Sequence, residues 1–332
     1  MTPMLGYTIF GRSGLRVSEV ALGTMTFGDD WGWGADAAES ARIFDVFADA
    51  GGTFVDTASN YTEGTSERLV GELAAGRRDR FVLATKYTLT IDPSDPNAGG
   101  NHRKSLVRSL EQSLRRLRTD YVDLLWLHMR DGATPIEEAV RALDDQVRLG
   151  KVLYVGISDS PAWVVAQANA IAELRGWSPF VGLQLPYSVA SRDPERELLP
   201  MAAAFGLAVV TWGILDAGTL TGKPADQRRW PEDGVSARTA AVVDVLREVA
   251  AEVGCEPAQV AIAWLCARPV IPILGARTAA QLESNLGSLA VSLSDEQRAR
   301  LDAAGAPELG FPRAFLESDH VRALINGETV LT

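Results

Sequence analysis

Val122-Asp123-Leu124-Leu125-Trp126-Leu127-His128 is a short, almost unbroken apolar run that ends at once on a histidine. Such a run reads as a strand, and its lack of polar alternation says that both faces are covered, as in a parallel sheet. Seven other runs share the pattern, at 20–23, 53–55, 81–85, 152–157, 181–184, 208–211 and 270–273. Helical signals fill the intervals. Asp36 is placed to cap a helix whose Ile43, Phe44 and Phe47 form one apolar face, and Leu106, Leu110, Leu114 and Leu117 recur at helical spacing. Thr134-Pro135-Ile136-Glu137 reads as a capping box, Ser160-Pro161 as a second start, and Ser294-Asp295-Glu296-Gln297 as a third.

Eight strand candidates, each followed by a helix, predict an α/β fold of the (β/α)8 TIM barrel type, read as one domain over residues 1–332. The turn-rich start (Gly6, Gly11, Gly14) is assigned to an N-terminal hairpin, with an extra loop and additional C-terminal helices. The competing doubly wound sheet would carry GxGxxG between its first strand and helix, and that fingerprint is absent. A long loop at residues 218–235 follows the seventh strand and is a candidate cofactor clasp.

Composition narrows the function. A formal net charge of −11 and a pI near 4.9 argue against nucleic acid and anionic membrane as partners. Cys255 and Cys266 have no metal-ligand spacing, so no metal site is expected. Apolar runs stop short of the ~18 residues of a bilayer span, and the N-terminus lacks the pattern of a secretory signal. A cytoplasmic location is the expectation.

Asp56, Tyr61, Lys86 and His128 fall at or just beyond the carboxyl ends of the second, third and fourth strands, the face where barrel enzymes place their chemistry. Singly, each has an ordinary structural explanation as a turn starter, a packed ring, a solvated amine or a polar core group. Together they form a proton-donating set. A phenol with a pKa of ~10 is a reluctant acid, and an adjacent ammonium lowers that value. A carboxylate keeps the buried amine charged, and the imidazole can orient a carbonyl oxygen.

These residues lie in blocks that resemble the aldo-keto reductase family over nearly the whole chain. The blocks run from Gly11-Arg12-Ser13-Gly14-Leu15 and Leu22-Gly23-Thr24-Met25 through Phe54-Val55-Asp56-Thr57-Ala58-Ser59-Asn60-Tyr61 and Ala84-Thr85-Lys86 to Gly156-Ile157-Ser158. The chain looks like the branch that includes bacterial oxidoreductases and potassium-channel β-subunits. The resemblance implies an oxidoreductase that reduces an aldehyde or ketone, a small-molecule carbonyl substrate, with Tyr61 as general acid, tuned by Lys86 and Asp56. It implies NADP(H), with NAD(H) left open. Gly23, Thr24, Met25 and Asp56 would line the nicotinamide side, Ser158, Asp159 and Gln184 would meet the carboxamide, and Trp212 would stack on the ring. Gly213, Ile214, Leu215, Asp216, Gly218 and Lys223 would wrap the pyrophosphate, with Gly275, Arg277, Gln281 and Asn285 at the adenosine end.

Two positions depart from the family pattern. Asp159 stands where many members have Asn, and Asp216 would set a carboxylate beside a pyrophosphate. Trp31, Trp33, Tyr87, Trp126 and Met129 are candidates for the substrate pocket. Two other readings stay open: a redox-sensing regulatory subunit with little turnover, and an aldolase using Lys86 as a Schiff-base nucleophile. Oligomeric state is not legible.

Overall fold

The structure is a computed structural model that describes residues 4–90, 92–223, 235–327 and 329. A hairpin, β1 (Tyr7–Ile9) and β2 (Arg16–Ser18), precedes eight strands that close into a parallel barrel. These are β3 (Ala21–Gly23), β4 (Phe54–Asp56), β5 (Val82–Tyr87), β6 (Val122–Leu127), β7 (Val152–Ser158), β8 (Phe180–Pro186), β9 (Ala208–Trp212) and β10 (Ile271–Gly275). Each pairs with its sequence neighbour, and β10 closes on β3. All eight expected strands are present, with ends shifted by at most two residues and β6 matching at both ends.

Twelve helices are described: α1 (Ala37–Asp49), α2 (Thr65–Leu73), α3 (Arg103–Leu117), α4 (Ile136–Arg148), α5 (Ala162–Arg175), α6 (Leu198–Phe205), α7 (Ala237–Val253), α8 (Pro257–Cys266), α9 (Ala279–Gly287), α10 (Asp295–Gly305), α11 (Arg313–Leu316) and α12 (Asp319–Asn326). The Asp36 carboxylate caps α1, and Ser294 with Gln297 forms a reciprocal capping box on α10. The expected box on α4 does not form. Thr134 Oγ1 donates instead to Asp131 Oδ2 at 2.6 Å, and Pro135 occupies the cap without a side-chain bond. Asp131 also accepts from the Ala133 and Thr134 amides. Of the long loop at 218–235, residues 224–234 lie outside the described set.

Two apolar cores result. One lies between barrel and helices; the other fills the barrel. Period two along each strand decides which residues enter the second. From β4, β5 and β6 it takes Phe54, Val82, Ala84, Leu124 and Trp126. The hairpin seals the lower end: Phe10 packs edge-on against Phe54 and Trp126, with ring centroids 5.6 and 6.3 Å apart.

Trp126 is the largest side chain inside, and two glycines make room for it. A Cβ on Gly156 would come within 2.3 Å of its six-membered ring, and one on Gly182 within 2.7 Å of Phe10. Both glycines face rigid aromatic rings. Gly156→Ala is therefore expected to destabilise the fold by about 1–3 kcal/mol through overpacking, read as a lower denaturation midpoint. An unchanged midpoint would show that the interior can relax around the extra methyl.

Candidate active site

The same period that packs the lower barrel turns polar at its mouth. Asp56 follows Phe54 on the inner face of β4, Lys86 follows Ala84 on β5, Trp126 follows Leu124 on β6, and Gln184 follows Gly182 on β8. Lys86 and Trp126 are register partners across the ladder. The four side chains meet at one carboxylate. Asp56 Oδ1 accepts from Trp126 Nε1 and from Gln184 Nε2, each at 3.0 Å, while Oδ2 pairs with the Lys86 ammonium.

Lys86 is fully buried, and its three N–H donors are all taken. They go to Asp56 Oδ2, the Thr57 carbonyl oxygen at 2.9 Å and the Tyr61 hydroxyl oxygen at 3.1 Å. Burial works against the charge on Lys86, but attraction to Asp56 and the hydrogen bonds to Asp56 and Tyr61 outweigh it, so its pKa lies above the ordinary lysine value. An amine held protonated this firmly is a poor Schiff-base nucleophile. Tyr61 departs from expectation in direction. Burial raises its pKa above 10.0, and the Lys86 ammonium offsets only part of that.

Tyr61 sits in an unusual turn. Thr62 and Glu63 have φ of 44° and 53°, in the left-handed region that a β-branched residue seldom adopts. Thr62 Oγ1 donates to the Phe27 carbonyl at 2.6 Å and accepts from the Ser66 amide, and Trp31 Nε1 donates to Glu63 Oε1 at 3.1 Å. These contacts hold the strain in place. Trp31 and Trp33 lie half-buried beside this turn, their rings 5.6 Å apart.

His128 follows β6, its ring edge-on to Tyr61 at 6.2 Å. Its buried Nδ1 has no hydrogen-bond partner among the described residues. Trp212 ends β9 and is 40% exposed, and its indole N–H donates to Asp159 Oδ1 at 3.2 Å. Asp159 thus anchors an aromatic face; burial raises its pKa against the opposing effect of that bond.

Other expected site residues lie at the ends of β3, β7, β9 and β10 and in the segments that follow them. Gly23 ends β3, and both the amide and hydroxyl of Thr24 donate to the Asp56 carbonyl, with Met25 half-buried next to them. Ser158 ends β7 near Asp159. Beyond β9, Gly213 and Gly218 have φ of 67° and 100°, whereas Ile214 and Leu215 turn inward to the outer core. Asp216 and Lys223 are exposed, and Asp216 lines a cleft with Arg192 and Arg238.

At β10, Gly275 faces open space and Arg277 is exposed. Gln281 Oε1 accepts from the Arg277 amide and Asn285 Nδ2 donates to the Gly275 carbonyl, so both fix the turn that presents Arg277. Met129 is half-exposed beside His128.

Two substrate-pocket expectations are corrected. Trp126 is completely buried inside the barrel and spends its only donor on Asp56. Tyr87 is also completely buried, on the opposite side of β5 from Lys86, in the core between barrel and helices. Strand parity carried both signals: a residue adjacent to an inward lysine faces out, and one two places from an inward leucine faces in. The Asp159–Trp212 bond spans 53 positions and had no local signature.

The pattern of the Aldo/keto reductase family matches residues 19–306. The chain is 41% identical over 329 residues to a norsolorinic acid reductase of Emericella nidulans, covering 94% of this chain and 85% of that protein. It is 38% identical over 329 residues to an aryl-alcohol dehydrogenase [NADP(+)] of Phanerodontia chrysosporium, covering 90% and 85%. A norsolorinic acid reductase A of Aspergillus parasiticus is 38% identical over 331 residues, covering 94% and 84%. This chain therefore belongs to the aldo/keto reductase family, and it is an oxidoreductase. Among the described residues, no helix is long and apolar enough to cross a membrane.

Burial, followed by repulsion from Lys86, pushes the His128 imidazole down to about 3, so the ring is neutral near pH 7. The unfolded chain takes this proton near 6.5 and the folded chain only near 3. Stability tied to the neutral ring is accordingly present above 6.5 and lost as pH falls toward 3. His128→Gln is expected to lose less stability on acidification across that window, by denaturant midpoints at successive pH values. Equal acid sensitivity in both proteins would contradict a neutral buried ring.

Proposed function

We propose that this chain is an NADP(H)-dependent reductase of aromatic aldehydes or ketones, with Tyr61 as the general acid. The observation that carries the reading is the Tyr61 hydroxyl held 3.1 Å from an ammonium that is itself pinned to a buried carboxylate. When bound, NADPH would supply the hydride that the carbonyl carbon accepts. As charge gathers on the carbonyl oxygen, Tyr61 gives up its phenolic proton, and the Lys86 ammonium stabilises the phenolate left behind. Neutral His128 hydrogen-bonds the same oxygen and aligns it with the phenol. Asp56 keeps Lys86 charged throughout, and Trp126 and Gln184 keep Asp56 in place.

Several residues fit the cofactor. Trp212 presents an exposed ring face, Gly213 and Gly275 leave open space where a side chain would intrude, and Arg277 is exposed at the far end. An Arg suits a 2′-phosphate through paired charge-assisted bonds. Aromatic substrates fit the Trp31–Trp33 pair, and the relatives named for norsolorinic acid and aryl alcohols support that class.

Purified protein is expected to oxidise NADPH when given aryl aldehydes, followed by loss of the reduced-nicotinamide absorbance. Tyr61→Phe should lower kcat by ~10²–10⁴-fold, the usual weight of a general acid, with cofactor affinity retained. Full turnover in that variant would sink the mechanism. Arg277→Ala should weaken NADPH by roughly 10-fold or more, the loss of charged hydrogen bonds, and leave NADH unaffected. Equal losses for the two cofactors would remove Arg277 from the phosphate.

A further inference from the structure

Glu67 is a carboxylate with no exposure at all, on the inner side of α2, and nothing in the reaction above uses it. A buried charge is stable only when paired and hydrogen-bonded, and the partners of Glu67 are informative. Its Oε1 accepts from Thr85 Oγ1 at 2.6 Å, and its Oε2 pairs with Arg116 Nη1 at 3.1 Å. Thr85 immediately precedes Lys86 on β5. Arg116 lies in the last turn of α3, and the same Nη1 donates to the Ser59 carbonyl at 2.9 Å. The guanidinium also lies flat against Gly64: a Cβ there would come within 2.6 Å of Arg116 Cζ.

Ser59 and Gly64 bracket Tyr61, so one guanidinium touches both ends of the strained turn that carries the phenol. The turn is tied a second way, since the Ser59 amide donates to the Lys86 carbonyl at 3.2 Å. We propose that Glu67 and Arg116 are positioning residues that hold the Tyr61 hydroxyl on the Lys86 ammonium by bracing the turn against β5. Neither touches a reacting atom. The 3.1 Å contact between Lys86 Nζ and Tyr61 already sits at the long end of the hydrogen-bond range. A small outward relaxation of the turn breaks it, while the Asp56–Lys86 pair, anchored on the strands, stays formed. Gly64 is required for the same reason, because any side chain there displaces the guanidinium.

The inference rests on Tyr61 acting as the general acid, and its test separates the two. Thr85→Val keeps the shape of the residue and removes only the bond to Glu67. Arg116→Lys keeps the charge but loses the flat fork that reaches Ser59, Gly64 and Glu67 together. Both variants, with Tyr61→Phe alongside, would be assayed as holoenzyme for kcat, cofactor KM and the pH dependence of the reverse reaction, alcohol oxidation, which needs the phenolate. Thr85→Val and Arg116→Lys are expected to lower kcat by about 10-fold or more, in line with the sensitivity of catalysis to displacements of ~1 Å. Cofactor KM should be unchanged. The pH limb for alcohol oxidation should move up, because a phenol freed from Lys86 ionises later.

Wild-type kcat and an unmoved limb, with only a lowered melting temperature, would overturn the brace while an inactive Tyr61→Phe left the general acid standing. Turnover retained in Tyr61→Phe would remove the general acid and the brace with it. Should Arg116→Lys fail to fold, Thr85→Val alone decides.

Discussion

Lys86 carries a positive charge in a place that water does not reach, and the site is organised around keeping it there. An isolated ammonium would lose its proton in such surroundings. What prevents this is a carboxylate on the neighbouring strand, and that carboxylate is held in turn by an indole and an amide reaching across the barrel. The pair resists dissolution because both members stand on adjacent strands of a closed ladder. Removing either partner would strand the other as a bare buried charge, which is far more costly than the pair is stabilising.

That constraint explains features that otherwise look unrelated. Trp126 is too large for a barrel interior unless facing strands carry glycine, and Gly156 and Gly182 are where they must be. The hairpin plugs the lower end, so the Asp56–Lys86 pair has apolar packing beneath it. The phenol has no strand to stand on. It is delivered by a turn in left-handed conformation, held by Thr62 from inside, Trp31 from outside and Arg116 from below. The phenol is thus mounted on the strained turn, and the charged pair on the barrel strands.

Much of this was legible in the amino-acid sequence, for physical reasons. The strands of a parallel barrel are apolar on both faces, so short runs of Val, Leu and Ile announce them without tertiary knowledge. Asp56, Lys86 and His128 follow directly from being polar where such runs end. The errors concern direction and distance. Trp126 and Tyr87 looked like rim aromatics by position along the chain, yet inside and outside are decided by strand parity, which puts one in the barrel and the other behind it. Glu67 and Arg116 are single polar residues on two helices, 49 positions apart, and no local pattern joins them. The α4 cap failed because the Thr134 hydroxyl is turned to donate to Asp131, three residues earlier, and accepts from no helix amide.

The central claim is that Lys86 and Tyr61 act as one unit, the ammonium serving only to manage the proton of the phenol. A double-mutant cycle on the rate of hydride transfer, with Lys86→Met, Tyr61→Phe and the double variant, tests it most directly. The account predicts strong non-additivity, with the double variant no slower than the worse of the two single ones. Losses that multiply would mean that the two residues work independently, and would contradict it.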